Sequence, residues 1–568
     1  MRSVVRADEQ RPQETKKETN QEEIDGTLKT ELDRSTPTPN NAPAFRTPST
    51  MTRTHKIMLA ATMSVTQFMM ALSVGSSLLI IPVMADYFNV SILAVQWVAS
   101  AYQLAYEGEI EVGNKAEKIE LFSGLLVAGR LADLYGRKRL FLFGLIVGVI
   151  ANIISGVIPN RIGLTIFRAI AGLGLSISAP AGFGIVGTNF REEPSRTMAF
   201  AALGLGTPVG AVVGEIIGGL IAGIGKKGWQ YVYFLIAGFG IIPIISGVIY
   251  IPRDDEVSSY VNPPIENNIQ GEEVPDQQES AVSIRNIKRV DWIGAGIITV
   301  GLSLLMFSIT QAGLTEKKWR TPYIPPIFSL SIIMIILFGF WERHIEIRSE
   351  IGIPPIVRLS IFTRHKWRVT AILGIAFFDW MGICGWVYLT SVYYQDLLGY
   401  SPLKNALYIL PAPVTGIICC YLVTLLAPRV SAPILLALGG IATGLANCLF
   451  AIQSPDTLYW KNEFFGAILQ PFGGDLTIPI GSVMISNLCD DDEQSIAGAL
   501  FQVSLQIAGT VDLCLSSLIQ TQVESIHGLL QGLRVALWFN SACCWFVLVI
   551  IFLAFRKVGL AKDVAKGI

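Results

Sequence analysis

Five ionisable residues stand inside long apolar runs: Arg168, Glu215, Asp379, Asp475 and Asp512. A charge at the centre of a membrane helix costs roughly 2.5–3.5 kcal/mol, so such residues are functional candidates by default. A carboxyl group removed from water favours its protonated form, as a proton carrier requires. Arg168 in the same surroundings pairs with a carboxylate such as Glu215 or holds an anionic substrate. The plain alternative for all five is a structural ion pair that closes a helix bundle. Enzyme chemistry finds less support. Gly182 to Gly187 spells G-x-G-x-x-G, but no strand-turn-helix unit surrounds it, so its glycines read as helix packing. The four histidines are scattered through tail and loops and make no zinc site, and no phosphate-binding loop points to ATP. The expectation is a protein that is not an enzyme and uses no metal or cofactor.

The elements that position these residues follow from composition. Of 568 residues, 51% are hydrophobic and 15% charged, with 53 glycines and a mean hydropathy of +0.51. A soluble protein carries roughly 25% charge, so the solvent for most of this chain is lipid. The net charge of -1, without a basic stripe, argues against nucleic acid as a partner. Runs of roughly 20 apolar residues, enough to cross a bilayer, recur at 57–85, 92–132, 140–158, 162–187, 197–224 and 229–251. Two more lie at 292–313 and 323–341, and six follow at 369–394, 403–426, 431–452, 464–487, 495–519 and 533–555. Cations crowd the loops on one side, Arg137-Lys138-Arg139 above all, so both termini are expected in the cytosol.

Outside the spans, residues 1–54 read as a disordered cytosolic tail, polar and rich in Pro and Thr. Residues 253–290 read as a cytosolic linker. The division expected is a six-helix bundle at 55–252, two additional membrane helices at 291–342, and a second six-helix bundle with a short tail at 343–568. The eight cysteines sit in or beside apolar runs of the second half and read as small buried hydrophobes. Aromatic residues of the ninth span, Trp380, Trp386, Tyr393 and Tyr394 among them, suit a wall for flat or cationic drugs. Packing and an interfacial belt account for them better.

"GRLADLYGRKR", starting at Gly129, joins the second and third spans. Gly129 permits close helix approach, Asp133 offers a carboxylate to a helix N-terminus or an arginine, and Gly136 permits the turn. Arg137, Lys138 and Arg139 fix the loop on the cytosolic face. Gly206, Gly210, Gly214 and Gly218 recur every four residues and form one stripe for close packing and bending. The first string resembles the signature of the major facilitator superfamily. "FRAIAGLGLSISAPAGFGIVG", with Arg168, Gly172, Gly174 and Pro180, and "GLGTPVGAVVGEIIGGLIAG" are similar to motifs of the fungal fourteen-span drug:proton antiporters. The resemblance implies an all-α membrane protein of major facilitator fold: two six-helix bundles plus two extra central helices, about 14 spans. It also implies a monomer in the bilayer, of the plasma rather than the vacuolar membrane, that exports drugs, toxins or secondary metabolites by alternating access in exchange for protons. Uptake or storage of one solute by the same fold, or a non-transporting sensor or defective product, are the alternatives. Three positions depart from the family pattern. Ala171 replaces a glutamine, Glu215 a proline, and Ser73 a first-helix aspartate.

One stretch contradicts its surroundings. Glu107, Glu109, Glu111, Lys115, Glu117, Lys118 and Glu120 lie within the second apolar run. Burying seven charges would cost roughly 17–25 kcal/mol. Without 107–120, residues 97–106 and 121–131 join into one segment of about 21 residues, long enough to span. The patch therefore reads as foreign to the fold, either a hydrophilic insertion or a short in-frame intron retained in the sequence.

Overall fold

The computed structural model describes residues 52–90, 95, 98, 102, 111–112, 117–118, 125–190, 194–222, 224–252, 290–314, 318–347, 355–400 and 402–556. Most of the expected tail (1–51), the linker from 253 to 289, and most of the charged patch lie outside the described residues.

Each apolar run becomes a helix because lipid offers the backbone no hydrogen-bond partners, so N–H and C=O groups must pair within the segment. The first bundle comprises α1 (Arg53–Phe88), α2 (Leu125–Tyr135), α3 (Arg137–Val157), α4 (Arg161–Asn189), α5 (Ser195–Ala222) and α6 (Gly228–Tyr250). Two further helices follow, α7 (Trp292–Leu314) and α8 (Ile324–Ile347). The second bundle comprises α9 (Ser360–Val392), α10 (Pro402–Ile409), α11 (Pro411–Leu426), α12 (Ala432–Ala451), α13 (Glu463–Leu469), α14 (Pro471–Leu488), α15 (Gln494–His527) and α16 (Leu529–Ala554). The pairs α10–α11 and α13–α14 are single spans interrupted just before Pro411 and Pro471.

Local chemistry sets the ends. Asn160 caps α4 by accepting from the Ile162 N–H at 3.1 Å. Asp291 does the same for α7 with Ile293 and Gly294 at 3.1 and 3.0 Å. Gly136 and Gly528 adopt φ of 109° and 87°, which lets the chain reverse between α2 and α3 and between α15 and α16. Outward faces are apolar, as lipid requires. On α3, Phe143, Ile146, Ile150 and Ile153 point out, while Gly144, Gly148, Ala151 and Asn152 point in. α8 is the most peripheral helix, with only 17% of its apolar window buried.

The tightest crossing joins α1 and α5. A β-carbon on Gly214 would stand 2.7 Å from the Leu72 carbonyl, and one on Gly218 would stand 2.7 Å from the Ser76 α-carbon. Gly206 and Gly210 likewise meet the backbone at Ser64 and Phe68. The four-residue glycine stripe thus lies on a four-residue row of α1. α7 leans on α15, so the additional pair docks against the second bundle at that helix. Asp291 also accepts from Trp341 Nε1 at 2.7 Å, and Glu342 accepts from the Ile356 N–H at 3.2 Å. These bonds tie α7 to α8, and α8 to the chain leading into α9.

Among the described residues 13 helices are long and apolar enough to cross a membrane. The expected span without a counterpart is the second. Of it, the structure describes Val95, Val98 and Tyr102, helical and buried at spacings of one helix face, and then α2. Within the patch, β1 (Glu111–Val112) pairs antiparallel with β2 (Glu117–Lys118), Glu111 opposite Lys118. α15 outruns the apolar run that marks it and continues to His527, whereas the turn at Ser360–Thr363 is cut off from the rest of α9 by non-helical backbone at Arg364–Trp367. Hydropathy locates the lipid-facing part of a helix, not its polar ends.

Candidate transport site and gate

Arg168 of α4 is completely buried. Its Nη1 donates to Ser73 Oγ at 2.9 Å and Asn152 Oδ1 at 3.3 Å, and its Nη2 donates to Ser77 Oγ at 3.2 Å. The guanidinium carbon lies 4.1 Å from the Tyr102 ring centroid and 5.1 Å from that of Tyr233. Hydroxyls and π-faces therefore surround the charge, and among the described residues Nε finds no acceptor. Glu215 falls on α5, but its side chain lies outside the described residues. Ser73, where the family pattern has a carboxylate, supplies the shortest bond to the arginine. Apart from Ser73, sequence reasoning missed these partners. Asn152 alone carried a signal, as an amide within an apolar helix.

The three aspartates occupy separate places in the second bundle. Asp379 of α9 is 1% exposed and accepts from Thr477 Oγ1 of α14 at 2.7 Å, while its Oδ1 has no partner among the described residues. Asp512 of α15 is 0% exposed and accepts from Ser516 Oγ at 3.2 Å, while its Oδ2 has no partner among the described residues. Gly385 of α9 makes room for it, since a β-carbon there would stand 2.5 Å from Asp512 Oδ2. Asp475 of α14 is only partly buried and accepts from the Cys420 thiol. Among the described residues none of the three has a lysine or arginine within ion-pair distance. Nearby amides and hydroxyls of Asn447, Asn540 and Thr443, none of them anticipated, extend this polar seam. The ninth-span aromatics divide. Trp386, Tyr393 and Tyr394 belong to a packed cluster, whereas Trp380 stays half-buried.

At the Arg137 end the two bundles are bolted together. Asp133 accepts from the Ser495 and Ile496 N–H groups at 3.3 and 3.1 Å, at the first turn of α15. Arg137 donates to Asp133 at 2.7 and 2.9 Å and to Ser495 Oγ at 3.1 Å. The carboxylate thus meets both an arginine and a helix N-terminus, whose partial positive charge it complements. Gly129 lets the helices touch, since a β-carbon there would stand 2.9 Å from Ala499 Cβ. Lys138 donates to the Val248 and Ile251 carbonyls at the C-terminus of α6. Arg196 bridges to Ser486 and Asn487 on the far side of the same junction.

A second clamp was not anticipated. Buried Glu493 receives Arg358 at 3.0 Å and Arg364 at 2.9 Å. Just after Arg364, His365, Lys366 and Trp367 adopt φ of 51°, 61° and 66°. Such left-handed backbone costs roughly 1–2 kcal/mol per residue, so the clamp holds the start of α9 in a strained path. Beside it, burial first and Glu493 second push the Cys489 thiol up to about 12.

The arrangement is a pair of helical bundles closed at one end, with uncompensated ionisable groups at membrane depth. Its likeness to known proteins agrees. The efflux pump terJ of Aspergillus terreus is 23% identical over 471 residues, covering 82% of this chain and 81% of that protein. The low affinity ammonium transporter of Saccharomyces cerevisiae is 23% identical over 457 residues, covering 78% and 79%. The proton:xylose symporter XylE, solved with 6-bromo-6-deoxy-D-glucose, gives a TM-score of 0.57 at 12% identity. That alignment covers 90% of this chain and 98% of the symporter, a likeness of fold. Residues 63–462 match the sequence profile of the Major Facilitator Superfamily, and the chain is a member of that family, an integral multi-pass membrane transporter.

Proposed function

We propose that this transporter exports small amphipathic molecules, such as drugs, toxins or secondary metabolites, in exchange for protons. The observation that carries the proton is the two fully buried carboxyls, Asp379 and Asp512, each with, among the described residues, an unpartnered oxygen and no lysine or arginine within ion-pair distance. At membrane depth such groups are stable only when protonated or paired, so each is a place to load and release a proton. Arg168 and Glu215 form the corresponding pair of candidates in the first bundle. The bundles, taken as 55–252 and 343–568, rock about the midplane. The Asp133–Arg137 junction and the glycines of α5 serve as gate and pivot, and 291–342 braces the second bundle. In this reading the protein is a monomer of the plasma membrane with both termini in the cytosol, the Arg137 end being the cytosolic face. Direction rests on likeness to an efflux pump. Likeness to the ammonium transporter favours the second reading, movement of one small solute by the same fold.

The test is dye or drug export from cells that overproduce the protein. Export collapses on adding a protonophore and on Glu215→Gln, Asp379→Asn or Asp512→Asn. Export that persists through the protonophore and all three substitutions overturns proton coupling. Net uptake in vesicles of known orientation overturns the direction.

A further inference from the structure

We propose that the additional pair α7–α8 controls the gate between α2 and α15, with Glu342 as the positioning residue through which it acts. This goes beyond the transport reading above, in which 291–342 is only a brace.

Glu342 lies in the last turns of α8 and is completely buried. Its Oε1 accepts from the Ile356 N–H at 3.2 Å, while its Oε2 has no partner among the described residues. Asp291, at the head of α7, stands beside it. A β-carbon on Gly294 would lie 2.2 Å from Asp291 Oδ2 and 3.2 Å from Glu342 Oε1. Asp291 already accepts from the Ile293 and Gly294 N–H groups and from Trp341 Nε1. The two acids of the helix pair thus meet at one point, and of the two Glu342 keeps an oxygen uncommitted.

A buried anion with an open oxygen is costly unless a cation answers it. Arg130 of α2 is within electrostatic reach of Glu342. It is itself buried, and its Nε has no partner among the described residues. The same guanidinium is within reach of Asp133, Arg358, Asp492 and Glu493, so it stands between the helix pair and the gate.

A second route leads to α15. Ile356 and Val357 are buried, and the next residue, Arg358, is one of the two arginines on Glu493. Glu493 immediately precedes α15, whose Ser495 and Ile496 N–H groups meet Asp133. Three links therefore run in series: Glu342 to Ile356, Arg358 to Glu493, and the start of α15 to Asp133. Coupling of this kind needs an element with two states that both ends bias. That element is the contact of α2 with α15, made or broken as the bundles rock. A charged acceptor holds an N–H roughly twice as strongly as a neutral one. Removing the charge at 342 slackens the segment that aims Arg358 and takes away the anion that draws Arg130 to the helix pair. Both effects loosen the gate.

The experiment uses the purified full-length protein with Cys489 as its sole cysteine and reads maleimide labelling at pH 7, without gradient or substrate. Burial first, then the charges of Glu493, Arg364, Asp490 and Asp133, sets the Cys489 thiol, so a change at 342 reaches the sulfur through the gate. Glu342→Gln should speed labelling about fivefold or more. Gly294→Ala keeps every charge but displaces the two carboxylates, so it should speed labelling too, and it decides the matter if Glu342→Gln does not fold. Arg358→Gln should match Glu342→Gln. The double substitution should stay within about twofold of the faster single, because both act along one route. A sole Cys448, buried between α12 and α16 and donating to Ser541, should label no faster in any of these variants. Unchanged Cys489 labelling in whichever of Glu342→Gln and Gly294→Ala folds overturns the proposal, as do multiplicative effects at 342 and 358. Cys448 labelling that rises in step with Cys489 means general loosening and overturns it as well. None of these outcomes depends on the direction or the coupling ion of transport.

Discussion

Arg168 shows how hydroxyls and aromatic faces gather around a buried charge. Among the described residues, three hydroxyl or amide acceptors and two aromatic faces surround the guanidinium. Arg168→Ala should therefore cost about 3 kcal/mol, from lost packing and from hydrogen bonds to a charged group. A lower melting temperature in detergent checks this. Ser73→Asp would place a carboxylate where Ser73 Oγ now accepts from Nη1, and should stabilise the protein. Adding Arg168→Ala would strand that carboxylate, so the double substitution should fall short of the sum of the singles by about 3 kcal/mol. Additive effects would mean that residue 73 does not address the arginine. Arg168 was legible in the sequence because arginine is rare in an apolar run. Tyr102 and Tyr233 were not, because tyrosine in such a run looks like packing, and only tertiary structure turns its face to a cation.

At the scale of elements, the junction of α2, α3 and α15 is the feature most open to test. Asp133 reaches α15 through two backbone N–H groups, and its partner Arg137 reaches Ser495. Asp133→Asn removes the charge that meets both, so the junction should open more often. Cys489 reports on that opening. Because its thiol is held at about 12 rather than near 9.0, the thiolate is scarce throughout the range from pH 7 to 9, although its fraction still rises about tenfold per pH unit. In a protein with Cys489 as sole cysteine, maleimide labelling should be slow and should climb about tenfold per pH unit from pH 7 past pH 9 without levelling off. Asp133→Asn should speed it at least tenfold at pH 7 and make the profile level off near pH 9, as it does for an ordinary thiol. Equal rates with and without the substitution would disconnect Asp133 from the gate. The Gly129–Arg139 string and the α5 stripe were readable because close backbone approach demands glycine at fixed spacing. The Glu493 clamp was not, since Arg358 and Arg364 look like ordinary loop cations until Glu493 lies between them.

At the scale of the whole molecule, the fold was readable because lipid imposes one solution on every apolar run. The exception is the second span. Val95, Val98 and Tyr102 already present one buried helical face, and α2 resumes at Leu125 with all of its first six residues buried. Between them stands the charged patch, of which the structure describes the Glu111–Val112 and Glu117–Lys118 ladder. Tyr102 stacks on Arg168 and Asp133 accepts from α15, so both ends of this span are tied to other helices and both contacts are served by a continuous span. Deleting 107–120 joins 97–106 to 121–131 in about 21 residues, one bilayer crossing. The shortened protein should accumulate in membranes to higher levels, melt at higher temperature and export more dye than the full sequence. Sequencing the transcript across this region is the companion measurement, and loss of these codons from the mature message is the outcome expected of a retained intron. A message that keeps the codons, together with a deletion that lowers export, would make the patch a working part of the transporter.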